Sequence, residues 1–99
     1  MTYNVYAYRV YKTYNFGKVQ YDTLKDLIAT ATTYDEAVKI AEDYDVKNML
    51  YDELLEDRAA AKNYTFYIDD KEEVVADFAI RYSFKPLPYG GCGVYVAKG

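Results

Sequence analysis

The stretch TYNVYAYRVYK, residues 2–12, decides the fold class. It is dense in tyrosine and valine and holds no glycine or proline, a composition typical of a β-strand. Its alternate positions form two faces that are both apolar or aromatic, Tyr3, Val5 and Ala7 on one and Tyr6, Tyr8 and Val10 on the other. We expect such a strand to be central in a sheet, or to meet a partner on its second face.

Further strands are predicted near the N-terminal and the C-terminal ends of the chain. Asn15-Phe16-Gly17 marks a turn within residues 13–18. Residues 26–32 have helical spacing and strand alternation at once, and we predict a strand because a helix start follows immediately. Residues 64–68 and 74–84 are predicted to form a hairpin around a polar turn at 69–73, and residues 93–97 a last short strand after the breaker segment 85–91.

Two helices are predicted between these strands. Thr33 and Glu36 form a capping box before a periodic apolar stripe, which predicts a helix over residues 34–44. A second helix over residues 46–62, capped by Asp45, places its apolar residues on one face: Leu50, Tyr51, Leu54, Leu55 and Ala61. The order ββααβββ predicts one α+β domain over residues 1–99, with an antiparallel or mixed sheet of about five strands and two helices packed on one face.

The composition argues against catalysis. Histidine is absent and Cys92 is the lone cysteine, which excludes Ser-His and Cys-His pairs within this chain. These residues also argue against a zinc site, because zinc is bound mainly by cysteine and histidine and the ligands that remain are carboxylates. Carboxylate pairs that hydrolyse glycosides need a cleft that 99 residues rarely build. We therefore expect no enzyme activity, no metal site, no cofactor and no chemical role for Cys92.

Two short runs imitate ligand-binding motifs in composition alone. Residues 69–73, DDKEE, lack the mid-loop glycine of a calcium loop and predict a solvated hairpin turn. Residues 89–93, YGGCG, lack the lysine and the Ser/Thr of a phosphate-binding loop and do not open a helix. They predict a flexible connection between two strands.

Charge is segregated along the chain. The net charge is -4, yet residues 1–21 and residues 78–99 hold basic side chains and no acidic one. All 16 acidic residues therefore lie between Asp22 and Asp77. Such segregation concerns steering and partner choice rather than the fold.

The acidic middle suggests a first contact surface. Carboxylates spaced along two helices can imitate the phosphates of a nucleic acid and cover the basic surface of a host protein, although a charged, solubilising helix face is the alternative. The predicted contact residues are Glu42, Asp43, Asp45, Met49, Asp52, Glu53, Glu56 and Asp57, with Tyr44, Met49 and Tyr51 as apolar anchors.

In size, acidity, lack of histidine and lack of catalytic residues, the chain resembles the small proteins that phages and other mobile elements encode to block host defences, including anti-CRISPR proteins. This resemblance rests on no specific residues. It implies a binding inhibitor of a host protein.

The tyrosine-rich ends of the chain suggest a second contact surface. Exposed aromatic rings beside cations stack on nucleotides or on single-stranded nucleic acid. The candidate residues are Tyr6, Tyr8, Arg9, Arg81, Tyr82, Phe84, Lys85 and Tyr95. Against this hypothesis, the rings can simply be core, and an acidic chain of pI near 4.7 is a poor sequence-independent binder of nucleic acid. A third hypothesis is a homodimer formed by pairing of the two-faced first strand.

The sequence also bears on location. Met1-Thr2-Tyr3-Asn4 lacks the basic start and apolar run of a signal peptide, and no apolar stretch approaches the roughly 18 to 20 residues that span a bilayer. A lone cysteine fits a reducing compartment. We therefore predict a protein of the cytoplasm, the host's cytoplasm if a phage encodes it, with no membrane partner.

Overall fold

The computed structural model describes residues 1–44, 55–84 and 90–99, without the side chains of residues 55–57 and 84. These residues form the elements β1 (Tyr3–Asn15), β2 (Lys18–Ala31), α1 (Tyr34–Asp43), β3 (Leu55–Tyr67), β4 (Glu73–Phe84) and β5 (Cys92–Lys98). The strands make one antiparallel sheet in the order β2-β1-β5-β4-β3. In the described ranges no helix has the length and apolar character needed to cross a membrane.

Strand β5 is the middle strand of the sheet, and β1 is an interior strand between β2 and β5. Tyr6 of β1 lies opposite Leu27 of β2 on one side and opposite Tyr95 of β5 on the other. Residues 92–96 of β5 are all buried. The interior position predicted for the first strand is confirmed, and both of its faces are covered: Val5 packs in the core beneath α1, whereas Tyr8 and Val10 pack in a second core.

Helix α1 begins as predicted. The Thr33 side-chain oxygen accepts a 3.2 Å hydrogen bond from the Glu36 backbone N–H, which satisfies one of the donors that a helix start leaves unpaired. Ala37 and Ala41 are fully buried, and they pack with Val5, Val94 and Val96 on one face of the sheet. Small alanine side chains let the helix approach the sheet closely.

The α+β prediction is wrong, because the described residues are mainly antiparallel β-structure with one short helix. Of the predicted second helix, residues 55–62 belong to β3, and residues 46–54 lie outside the described residues. Ala60 lies opposite Ile80 and Ala61 opposite Ala79. Exposure alternates along residues 58–61, as a two-residue period requires. Hydrogen bonding to β4 therefore overrides the helix propensity of an alanine-rich segment.

The β3–β4 hairpin changes sides along its length. Phe78 and Ile80 belong to the core beneath α1, whereas Val74 and Ala76 belong to a second core on the opposite face. Asn63, which lies in β3 opposite this change, has a φ of 51°. The outer part of the hairpin thereby folds over the face of the sheet that α1 leaves uncovered. The second core consists of Tyr8, Val10, Phe66, Ile68, Val74, Ala76, Ala79 and Tyr95.

The glycines before β5 are anchored on two sides. The Gly90 N–H donates to the Ile68 carbonyl at 2.8 Å, and the Gly91 carbonyl accepts from the Val10 N–H at 2.7 Å. Both glycines have positive φ, 89° and 87°. The connection predicted to be flexible is thus bonded to the end of β3 and to β1, and Cys92, which follows it, is buried.

Candidate functional site

Strands β1 and β5 bring together tyrosines from the two ends of the chain. The rings of Tyr6 and Tyr95, which are opposite each other in the register, stack with their centroids 5.2 Å apart. The Tyr8 ring lies 6.1 Å from that of Tyr95. The two basic, tyrosine-rich ends of the chain are therefore neighbours in one sheet.

Four residues of the tyrosine-rich set predicted as a ligand site are nevertheless buried, and the side chain of a fifth, Phe84, is not described. Tyr8 and Tyr95 lie in the second core, whereas Tyr82 lies in the core beneath α1. Arg81 is also buried, with 6% of its surface exposed. Tyr6 and Arg9 are partly buried, and Lys85 lies outside the described residues. The set is therefore divided between two faces and does not form one open surface.

Phe66 covers the Tyr8 and Tyr95 rings. Its centroid lies 5.9 Å from that of Tyr8 and 6.0 Å from that of Tyr95. The guanidinium carbon of Arg81 lies 4.9 Å from the Phe66 centroid, within cation–π distance. Burial raises the pKa of Tyr8 far above its ordinary value, although the Arg81 charge opposes this shift. A base could stack here only by displacing the outer hairpin.

The predicted acidic face is described in part. Glu42 and Asp43 are exposed on α1, as are Asp35 and Glu36 in its first turn, because the alanine side of the helix faces the sheet. Tyr44 is half-buried and packs against the core beneath α1. The other predicted residues are Asp45, Met49, Tyr51, Asp52 and Glu53, outside the described residues, and Glu56 and Asp57, in β3 with undescribed side chains.

The β1–β2 hairpin extends beyond the rest of the sheet. Pairing of β1 with β5 ends at Arg9, whereas pairing with β2 continues from Tyr11 opposite Asp22 to Asn15 opposite Lys18. We call residues 11–22 the ribbon. Along the ribbon, β2 is the strand partner of β1 among the described residues.

The ribbon carries exposed aromatic and apolar side chains. Tyr14 is 78% exposed and Phe16 98% exposed. Tyr14 lies opposite Val19, which is also exposed, and Lys12 lies opposite Tyr21. Because directly opposed residues, and residues two apart on a strand, share a face, these four side chains lie on one face of the ribbon.

Phe16 has an unusual backbone conformation. Phe16 and Gly17, the two residues between β1 and β2, have φ values of 53° and 78°. Two positive φ values in a two-residue loop are typical of a type I′ turn, which favours Asn or Gly at both positions. A phenylalanine in the left-handed region is uncommon, and the strain has no packing to offset it because the ring is exposed.

The ribbon is basic as well as aromatic. No acidic side chain occurs in residues 10–21, which hold Lys12 and Lys18. At the base of the ribbon the Arg9 guanidinium donates to the Tyr11 hydroxyl at 3.2 Å and lies 5.8 Å from the ring centroid. Cations and aromatic rings therefore occur together from the base of the ribbon, at Arg9 and Tyr11, to its tip, at Phe16 and Lys18.

The sequence predicts the turn of this ribbon, at residues 13–18, but does not mark it as a contact site. The available signal was the phenylalanine in Asn15-Phe16-Gly17, at a position where turn chemistry favours a small polar residue or glycine. What the sequence could not show was that no described element packs on the tip.

The described residues offer little for small-molecule or metal chemistry. Two surface depressions have volumes of about 180 and 220 Å³, below the roughly 300 to 1,000 Å³ of typical ligand pockets. One lies among Arg9, Leu24 and Tyr44, the other beside Tyr3 and Tyr34. Across residues 1–44, 55–84 and 90–99, no group of three acidic or cysteine side chains is placed to hold a metal ion.

Comparison with known proteins gives no relative: no protein family, no curated protein and no solved structure matches the chain. The candidate site therefore depends on the chain's own geometry. Among the described surfaces, the ribbon combines highly exposed aromatic side chains with a turn residue in a strained backbone conformation.

Proposed function

We propose that this chain is a small, non-enzymatic binding protein that contacts a partner macromolecule through the ribbon. The observation that carries the proposal is Phe16, with a φ of 53° and a ring 98% exposed. The left-handed conformation costs a residue with a Cβ roughly 1–2 kcal/mol. Because the Phe16 ring is exposed, no burial of apolar surface within the fold offsets that cost. A partner that covers the ring on binding gives a reason for a phenylalanine at this turn.

The surroundings of Phe16 support the proposal. Tyr14 and Val19 extend the apolar surface along one face of the ribbon. Aromatic residues are enriched in the centres of protein interfaces, where a few anchors supply most of the binding energy. A hydrogen-bonded ribbon also presents its anchors in a fixed geometry, which lowers the entropy lost on binding compared with a loop.

The proposal is tested with the protein as bait in a lysate of the cells that produce it. The test variant is Tyr14→Ser/Phe16→Asn, and the control is Val75→Ser, which removes a side chain 72% exposed in β4. We expect a partner captured by wild type and by the control but not by the test variant. Phe16→Asn should at the same time raise stability, because asparagine tolerates positive φ.

Identical capture by all three proteins would contradict the proposal. Unfolding of the variants would be visible in circular dichroism and urea denaturation, and it is not expected for exposed positions. Light scattering of wild type against the test variant reports whether the partner is a second copy of the chain.

The exposed carboxylates of α1 favour a second candidate function, an inhibitor that covers the basic surface of a host protein, as phage counter-defence proteins do. Glu42→Lys/Asp43→Lys is the appropriate variant, because cations near a helix C-terminus are compatible with the helix dipole. Association with a basic partner should then slow and lose its salt dependence. If this variant binds like wild type while the ribbon variant fails, the acidic-face hypothesis is excluded.

We also propose that the protein acts in the cytoplasm. Cys92 is the lone cysteine and is buried, so the fold is completed without an intramolecular disulfide. Such a fold suits a reducing compartment. Fractionation of the producing cells tests this location.

A further inference from the structure

We infer that the ribbon binds single-stranded nucleic acid, an inference that rests on the proposed binding function of the ribbon. Exposed aromatic rings stack on unpaired bases, and lysine and arginine side chains neutralise the phosphates. The ribbon has both kinds of side chain and no acidic residue from position 10 to 21. In a duplex the base faces are already stacked on one another, so exposed rings favour a single strand.

The register of the ribbon places an aromatic ring and a cation where one nucleic-acid strand could contact both. Lys12 and Tyr14 lie on the same face of β1, about 7 Å apart along the strand. A base stacked on Tyr14 would have its phosphate within reach of the Lys12 ammonium group. Lys18 follows the turn and lies opposite Asn15, on the other face of the ribbon from Lys12 and Tyr14, so it adds a positive charge close to Phe16 at the tip.

The net charge of -4 does not oppose binding at the tip. Among the described residues, the ribbon's own carboxylate, Asp22, lies at its base opposite Tyr11, and Asp69 is bonded there to Thr23. Phe16 is five residues beyond Tyr11, or about 17 Å along the extended strand. Electrostatic interactions between exposed charges are screened over about 8–10 Å at physiological salt. Among the described charges, a nucleic-acid strand at the tip therefore meets Lys18, whereas Asp22 at the base lies beyond the screening length.

Fluorescence anisotropy tests this inference directly. The probes are labelled oligothymidylate and oligouridylate of about 20 nucleotides, longer than a typical single-strand site, and a duplex of the same length. We expect wild type to bind both single strands, with affinity that falls as salt rises, and to bind the duplex at least about tenfold more weakly.

Variants assign the binding to the ribbon. Tyr14→Ser and Phe16→Asn should each weaken single-strand binding on the order of tenfold, whereas Phe16→Tyr keeps a stacking ring and should bind like wild type. Lys12→Gln/Lys18→Gln should flatten the dependence of affinity on salt, because fewer counterions are released. Val75→Ser, exposed in β4, is the matched control and should have no effect.

The inference is overturned if no single strand binds at low salt, if the duplex binds more tightly, or if the ring-removing variants bind like wild type. The bait experiment separates this failure from failure of the proposed function. Capture of a protein that is lost in the Tyr14→Ser/Phe16→Asn variant would leave the binding function standing and remove nucleic acid as the partner. Absence of both activities would remove both.

Discussion

The Thr23 hydroxyl in β2 donates a 2.8 Å hydrogen bond to the carboxylate of Asp69, 46 residues further along the chain. The other carboxylate oxygen accepts from the backbone N–H groups of Lys71 and Glu72, also at 2.8 Å. Lys25 forms an ion pair with Glu72 at 3.2 Å. Strand β2 therefore holds the tip of the β3–β4 hairpin, although β2 and β3 are the opposite edges of the sheet. These contacts hold the second core closed.

We predict that Asp69→Ala destabilises the protein. Partial burial alone would raise the pKa of Asp69, but hydrogen bonds from the Glu72 and Lys71 N–H groups and from Thr23 together lower it. The alanine variant removes the acceptor for all three donors and should lower the free energy of unfolding by about 1–3 kcal/mol in urea denaturation. Asp69→Asn keeps one carbonyl oxygen and should lose less. Equal stability of wild type and both variants would show that the hairpin tip is held by other contacts.

Asn63 provides a test of the hairpin bend. Its φ of 51° lies in the left-handed region, which asparagine and glycine tolerate better than other residues. We expect Asn63→Gly to keep wild-type stability within about 0.5 kcal/mol and Asn63→Ala to lose about 1 kcal/mol, both measured in urea. The bend would not depend on this conformation if the alanine variant were as stable as the glycine variant.

Gly93 of β5 lies against the Tyr8 ring. A Cβ at this position would lie 2.6 Å from the Ile80 carbonyl oxygen and 2.8 Å from the Tyr8 ring. Gly93→Ala should therefore cost about 1–3 kcal/mol or more of unfolding free energy, since backbone and packed ring must both shift. Gly17→Ala is the control: no atom lies within 4 Å of its Cβ, and its cost comes from the φ of 78° alone. A smaller loss for Gly93→Ala than for Gly17→Ala would contradict the close approach.

Tyr8 should make the protein sensitive to alkali. Burial raises the pKa of its hydroxyl above the ordinary 10.0. Stability from this group is therefore complete below pH 10 and is lost as pH rises from there towards the folded-state pKa. We expect the unfolding free energy of Tyr8→Phe to fall less than that of wild type between about pH 9 and 11, each relative to its own value near pH 8. Parallel curves would show that other groups govern alkaline unfolding.

The sequence predicted those elements that local patterns specify. The tyrosine- and valine-rich composition of residues 2–12 indicated β1, and the Thr33 and Glu36 capping box indicated the start of α1. It failed over residues 55–62, because an alanine run has helix propensity in isolation while its pairing with β4 depends on residues about 20 positions away.

The candidate site was harder to predict because exposure is a property of the whole fold. Tyr8 and Phe16 are both aromatic residues of the same hairpin, yet one is buried and the other almost fully exposed. The difference arises because the β3–β4 hairpin folds over Tyr8 and no described element covers Phe16. That fold-over depends on Asn63 and Asp69, which are separated from Tyr8 by more than half of the chain.

The central position of β5 has a consequence during synthesis. The β1–β2 and β3–β4 hairpins consist of contacts between chain neighbours and can form as soon as each is made, but Tyr3 must wait for Lys98 before the two halves can join. Folding dominated by such distant pairings is slow, on the millisecond to second scale. A nascent chain that has reached Phe84 therefore carries unpaired edges on both β1 and β4, where a chaperone or another nascent chain can add a strand.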